Sequence, residues 1–305
     1  MLQCVLMKKK LIFTSWVLAG MAMADGMHAL QYDLPDSGLA PSFGEASFIS
    51  RMRERHGGSS LSMQSYALTI PLSDPLKTRW NDISINAQLD TKMTFFSAGG
   101  NLTLNSETMY NVALPVSFIK PMPNGNKLIV GIAPEIATDG DAMEHGLDLA
   151  GYAMYTVKKS DTFSYTIGVG ISPRFAEYFA VPFFGFEWKP TYDWTIALSG
   201  YKLTAMYRIN DRLSAGPFAM TSGGIWAVET PRGDEIFRMR ALVMGLTAEY
   251  NFAEPGQTKR IITASIGSNV ATRADFLKRN AGKDHTETHH YKPALYVSVG
   301  VDFRF

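Results

Sequence analysis

The run Asp284-His285-Thr286-Glu287-Thr288-His289-His290 is the densest set of metal-binding side chains in the chain. Imidazoles and carboxylates ligate zinc, copper or nickel. An extended loop fixes no coordination geometry, however, and Gly282 with Lys283 just before the run fits a solvated surface loop. Any metal binding there is expected to be weak and incidental. His145, close to Asp139 and Asp141, is the nearest approach to an acid–imidazole hydrolase set. A serine hydrolase needs its nucleophile beside a histidine base. None of His28, His56, His145, His285, His289 or His290 lies in a strand-like segment beside a serine on the same face. Neither a Gly-rich phosphate loop nor a helical histidine pair occurs. The sequence therefore calls for no catalytic residue, no metal and no cofactor.

A different set of charges recurs with a period of two. Over residues 82–95 the odd series Ile83, Ile85, Ala87, Leu89, Met93 and Phe95 is apolar apart from Thr91. The even series Asp82, Ser84, Asn86, Gln88, Asp90, Lys92 and Thr94 is wholly polar. That alternation puts one set on each face of a strand. Residues 163–171 repeat it, as do 66–72, 110–118, 128–136, 147–157, 194–198, 201–209 and 262–270; residues 178–188 and 241–252 follow it less cleanly. Helical spacing of apolar residues is missing from these stretches. Amphipathic segments of about ten residues with aromatics near their ends match a lipid-facing band with aromatic girdles. The fold expected is all-β: a single-domain, antiparallel transmembrane β-barrel of about 12–14 strands.

On that reading Asp82, Asp90, Lys92, Lys127, Glu135, Asp148, Glu187, Lys202, Arg208, Glu249, Asp302 and Arg304 point inward. Charges of both signs suit a water-filled pore, although they would also pair with one another in a sealed barrel. Ile129, Phe179, Val181 and Phe183 share the inward phase, so part of the lumen is expected to be constricted or greasy, with room for a hydrophobic solute. Arg238 and Arg240 interrupt an apolar face. A bulge near Ala241 would turn them inward; otherwise they stand among lipid headgroups, which is the preferred reading.

Short turn signals at residues 121–125, 159–161, 189–191, 210–211 and 254–256 alternate with longer connections at 138–144, 229–235 and 271–290. Short turns face the periplasm in such barrels, which puts the longer ones outside. The apolar phase flips around Ser199-Gly200, which marks a turn or a bulge. A turn there, with a weak first strand over residues 46–54, gives 14 strands; a bulge, without that strand, gives 12. The turn is preferred because it keeps short and long connections in phase.

The N-terminus carries Lys8, Lys9 and Lys10, an apolar run to Met23, and Ala22-Met23-Ala24 before Asp25. This is the pattern of a secretory signal peptide over residues 1–24, with Met7 a better start than Met1. The only cysteine, Cys4, falls within it, so no disulfide framework is expected in the exported chain. Residues 25–43 show little periodicity and read as a periplasmic tail, with an internal plug as the alternative; the barrel would occupy 44–305. No later apolar stretch is long enough for a spanning helix. A net charge of +1 makes no electrostatic case for nucleic acid.

Within residues 291–305 every odd position is apolar or proline, and the last residue is Phe305. This segment resembles the closing strand of bacterial outer-membrane β-barrels. The resemblance implies that Val297, Val299, Val301, Phe303 and Phe305 form the signal read by the barrel-assembly machinery. With the export segment and the amphipathic strands, the chain as a whole resembles uncharacterised outer-membrane β-barrel proteins of Gram-negative bacteria. That implies lipid, the assembly machinery and small solutes as partners, and a porin-like channel as the function. A non-transporting structural or surface-interaction barrel is the runner-up, and an outer-membrane hydrolase is less favoured.

Overall fold

The computed structural model describes residues 42–72, 79–80, 82–100, 102, 104, 106–172, 179–254, 259–278 and 285–303. The proposed export segment, Asp284, Arg304 and Phe305 lie outside them. The segments begin with β1 (Ser42–Arg53), β2 (Ser60–Pro71), β3 (Arg79–Trp80), β4 (Ile83–Gly99), β5 (Thr108–Ala113) and β6 (Val116–Pro121). They continue with β7 (Lys127–Thr138), β8 (Leu147–Lys158), β9 (Phe163–Ser172), β10 (Phe179–Trp188), β11 (Trp194–Ser199) and β12 (Lys202–Arg208). The last are β13 (Leu213–Thr230), β14 (Gly233–Asn251), β15 (Arg260–Lys278), β16 (His285–Tyr291) and β17 (Ala294–Phe303).

These seventeen segments make a ring of about 14 wall strands. β5 and β6 are one strand broken at Leu114-Pro115, and β16 and β17 are one strand broken at Lys292-Pro293, because proline has no N–H for the ladder. β3 only extends the pairing of β4. Neighbours along the chain pair antiparallel, and β1 meets β17 from Ser42↔Phe303 to Ile49↔Tyr296. That contact closes the cylinder and leaves no strand edge for hydrocarbon to meet.

The two faces separate by chemistry. Outside, Leu68, Val130, Ile132, Ile167, Phe184, Leu246, Ile266 and Val299 are exposed apolar side chains. Inside, hydroxyl pairs bridge adjacent strands: Ser65 with Thr94 (3.1 Å), Ser265 with Thr247 (2.9 Å) and Thr156 with Thr166 (2.8 Å). Gly131 also faces inward; a Cβ there would collide with the ring of Tyr152, whose hydroxyl donates to Ser117 at 3.2 Å. Ser199 pairs with Lys202 around Gly200, whose φ is 55°, so the phase flip is a tight turn rather than a bulge.

Wall height is uneven. A barrel strand needs about 9–11 residues to cross the hydrocarbon. β11 and β12 have 6 and 7, whereas β13, β14 and β15 have 18, 19 and 19 and rise well above the apolar band. The expected loop at 229–235 is accordingly a hairpin end, with Thr230 paired to Gly233.

One irregularity spans three adjacent strands. β15 carries an extra residue opposite Leu242/Val243, and β1 is irregular against β2 between Ile49 and Met52. β16–β17, between them, breaks at the same level, with Asn269 opposite Ala294 and Thr272 opposite Tyr291. Pro293 donates no ladder bond there, and Asn269 accepts from the N–H of Ala294 at 2.5 Å instead. A one-residue shift exchanges the faces of a strand. Met52, Ala274 and Tyr291 therefore turn inward, and Tyr291 is fully buried. This corrects the expectation that Tyr291 continues the lipid-facing odd series of the final strand.

Candidate functional site

Lumen chemistry follows from which strands cross it. β12 pairs with β13 only as far as Lys202↔Met220, so the upper half of β13 leaves the low wall. It leans across the barrel and meets β7 in a parallel bridge, Ala227↔Thr138. Contacts among the described residues of both walls hold this seam. Lys92 Nζ donates to Gly223 O at 2.8 Å, and Trp226 Nε1 donates to Asn111 Oδ1 at 2.6 Å. Asp139 N donates to Ala227 O at 3.1 Å, and Asp139 Oδ2 accepts from Glu229 N at 3.0 Å.

Under the seam an apolar cap fills the upper lumen on one side. Trp226, Phe237 and Phe96 form its centre, with ring centroids 5.3–6.0 Å apart. Met52, Leu61, Met63, Met109, Phe276 and Tyr291 surround them. A second patch joins Ile129, Tyr152 and Met154 to Ile119 and Phe183. Of the greasy inward residues expected from sequence, Ile129 and Phe183 thus pack together, Val181 is half-exposed, and the side chain of Phe179 is not described.

Above the apolar band lies a charged lid. His289 Nδ1 sits 2.9 Å from Glu54 Oε1, and its Nε2 is 2.7 Å from Glu287 Oε1. Arg232 bridges Glu287 and the buried Glu235, both at 3.0 Å. Burial opposes the charge on Glu54, but hydrogen bonds from His289 and Ser59 outweigh it and hold the carboxyl below its ordinary value. On the outer face of the same strands Asp275 is buried. Its carboxylate accepts from Arg273 (2.6 Å), Arg238 (2.9 Å) and Thr288 (3.0 Å).

The expectation of a solvated loop around residues 284–290 is thereby corrected. Residues 285–291 form β16, whose alternation sends Glu287 and His289 inward and Thr288 and His290 outward, so His289 and His290 do not converge. His145 is not beside Asp139 in a catalytic sense either. Its Nε2 pairs with Asp234 at 2.9 Å and Glu144 at 3.2 Å, while Asp139 accepts from the backbone of Asp141 and Ala142. Both groups tie loops together.

The sequence-selected lumen residues fall at different heights. Asp90, Glu135 and Asp148 share one inward row across β4–β8, since Asp90 opposes Ala113, Ala113 opposes Glu135, and Glu135 opposes Asp148. Gln88 donates to Asp90 at 3.0 Å, and Lys92 lies one inward position higher. Lys202, Glu249 and Asp302 are half-buried on the inner face, Lys202 with its ammonium 5.8 Å from the Phe218 ring centre. Lys127, Glu187 and Arg208 stand at the end that carries the short turns: Glu187 pairs with Lys189 at 2.7 Å, and Arg208 stacks on Tyr192 at 4.4 Å. Asp82 does not line the lumen. It is exposed in the turn before β4 with φ 65°, a conformation that aspartate tolerates in turns. Among the proposed assembly residues, Val299 and Phe303 are exposed and Val297 and Val301 half-exposed on the outer face.

Two contributors escaped the sequence reading. Glu45 on β1 faces inward and receives the Tyr296 hydroxyl at 3.4 Å; it precedes the span read as the first strand. Asn111 has no charge to mark it, and its role depends on Trp226 arriving from the opposite wall. Arg238 and Arg240 stay outside, as preferred. β14 pairs with β13 without interruption and the irregularity belongs to β15, so Phe237 and Met239 enter the cap instead.

A family model described as "Domain of unknown function (DUF6268)" matches residues 41–304. Among solved structures, the COG4313 outer membrane channel from Pseudomonas putida F1 is similar at 10% identity, covering 89% of this chain and 99% of that one, with a TM-score of 0.47. The Pseudomonas putida toluene transporter TodX is similar at 9% identity, covering 88% and 90%, with a TM-score of 0.37. A KdgM porin in complex with disordered oligogalacturonate is similar at 8% identity, covering 87% and 99%, with a TM-score of 0.34. No curated protein matches the chain.

Proposed function

The chain belongs to the DUF6268 family, and we propose that it is a bacterial outer-membrane channel for the passive passage of small solutes. Uneven filling of the lumen supports this reading. The cap takes up the side formed by β1, β2, β4 and β13–β16, whereas Val181, Phe183, Thr195, Ala197, Lys202 and Thr204 on the inner face of β10–β12 stay half exposed. Solvent therefore reaches that wall, where the rim is lowest. A solute passing there meets Lys202 and then, across the lumen, the acidic row Asp90, Glu135 and Asp148. Glu45, Glu249 and Asp302 add to the acids, and Lys92 is held in the seam. The balance favours cationic or neutral solutes over anions. Lys127, Glu187 and Arg208 stand at the periplasmic mouth, and the terminal strand is what the assembly machinery reads.

Bilayer recording on the refolded full chain tests the proposal. Discrete current steps with a reversal potential on the cation side are expected. A folded, inserted and silent barrel would instead establish the structural, non-transporting reading.

A further inference from the structure

Charges on the outer wall are arranged in register. Arg240 on β14 opposes Arg273 on β15, and Arg273 opposes His290 on β16. The next strand continues the row, since Arg55 N donates to His290 O at 2.8 Å. One position lower, Lys292 stands beside Arg53, with Lys292 N donating to Arg53 O at 2.8 Å. One position higher, Arg238 opposes Asp275. Asp275 is the one carboxylate in these three rows among the described residues, and it already takes bonds from Arg238 and Arg273.

Like charges directly across a sheet repel one another. A bare water-facing sheet gains nothing from stacking them, and the coordinated irregularity of β15, β16–β17 and β1 is what turns Arg273, His290, Lys292, Arg53 and Arg55 to the same side as Arg240. The level is also specific. On β14 the same face continues downward through Leu242 to Met244 and Leu246, which are lipid-facing. The basic rows thus sit directly above the apolar band, where headgroups lie and long basic side chains are tolerated.

A second feature lies below them on the same wall. A groove of ≈ 600 Å³ runs over β13, β14, β15 and β17, floored by Ala215, Ala248 and Ala264 and walled by Leu246, Ile266 and Val299. From Arg240 to Leu246 is six residues, roughly 20 Å along the strand at about 3.4 Å per residue. That separation suits one lipid, with phosphate at the top and an acyl chain in the groove.

We propose that this outer face is a binding site for a phosphorylated outer-leaflet lipid, held by Arg55, Arg240 and Arg273 through charge-assisted bonds to its phosphate. The inference rests on the transmembrane reading but not on transport, since a silent barrel would keep the same wall.

The test uses the refolded full chain in neutral detergent, with native mass spectrometry to count bound adducts. Three probes are added separately: a diphosphorylated glycolipid, the same glycolipid with its phosphates removed, and inorganic phosphate. Retention of the first alone is expected, weakened about tenfold in an Arg55→Gln/Arg240→Gln/Arg273→Gln variant. High salt should weaken retention on the unaltered barrel as well, which keeps the test valid if that variant fails to fold. Equal retention of both glycolipids, or no effect of variant or salt, would overturn the site. Equal binding of inorganic phosphate would reduce it to an anion site without a lipid. A chain that does not insert into neutral-lipid vesicles would instead remove the membrane reading beneath it.

Discussion

The indole N–H of Trp226 reaches Asn111 Oδ1 at 2.6 Å although the two residues stand on opposite walls of the cylinder. Strands that close only around a ring never bring such positions together. The contact exists because β13 outlasts its neighbour β12 and leans into the lumen, where a tall strand with one bare edge finds β7. The cap is therefore a consequence of unequal strand lengths, with the low β11–β12 wall as its counterpart.

Replacing Trp226 by Phe keeps most of the apolar volume and leaves Asn111 without its donor. Burial of an unsatisfied amide costs about 1–3 kcal/mol. If the cap restricts the lumen, single-channel conductance should rise while the barrel stays folded. Current records of the two proteins at one voltage check this, and an unchanged step size would place the cap off the solute path.

Asp139→Ala should act on the same seam from the β7 side. The carboxylate accepts from the N–H groups of Asp141, Ala142 and Glu229, so its loss strands three donors at once. Larger and noisier openings are expected, with faster amide exchange in β13 above Thr221 than in β13 below it. Uniform exchange along β13 would mean that the seam does not hold the strand.

How much of this was legible in the residues depends on whether one strand or two was needed to read it. The alternation at 82–95, 128–136 and 163–171 is local, and it identified the wall, the lipid face and the turn at Gly200. The acidic row was visible for the same reason, because Asp90, Glu135 and Asp148 each stand in phase with polar or small neighbours. Asp82 failed where the strand had not yet begun and the backbone takes a positive φ. The irregularity beside Val270 left no mark of its own. Pro293 hinted at a break, but only its partners Asn269 and Met52 show that three strands shift together. Trp226 and Phe237 carry apolar side chains on an inward face, which a sequence reads as lipid-facing unless the pairing settles the phase. Non-local pairing is the information a single strand lacks.

Selectivity should follow the inward row. Glu135→Gln combined with Asp90→Asn removes two negative charges from one level of the lumen without changing side-chain size. The reversal potential in a salt gradient should move toward anions. An unmoved potential would mean that solutes pass away from β4 and β7.

Acid should loosen the charged lid before it touches the wall. Glu54 ionises more readily in the folded barrel than in an unfolded chain, through the hydrogen bonds it accepts from His289 and Ser59. For a carboxyl lowered in this way, the stabilisation is fully present above its unfolded value of about 4 and is lost as pH falls through the folded value. The lid is thus expected to hold at neutral pH and to open only in strongly acidic solution, while the β1–β17 closure, which rests on backbone bonds, persists. Near-ultraviolet circular dichroism reports the packing of the aromatic side chains, Trp226 among them, and far-ultraviolet circular dichroism reports the sheet. As pH is lowered below about 4, the first signal should fade while the second remains. Glu54→Gln should make the loss at acid pH smaller, because the variant has no carboxyl to protonate there, and should make the lid weaker at neutral pH. If both spectra collapse together, the lid and the barrel are one cooperative unit.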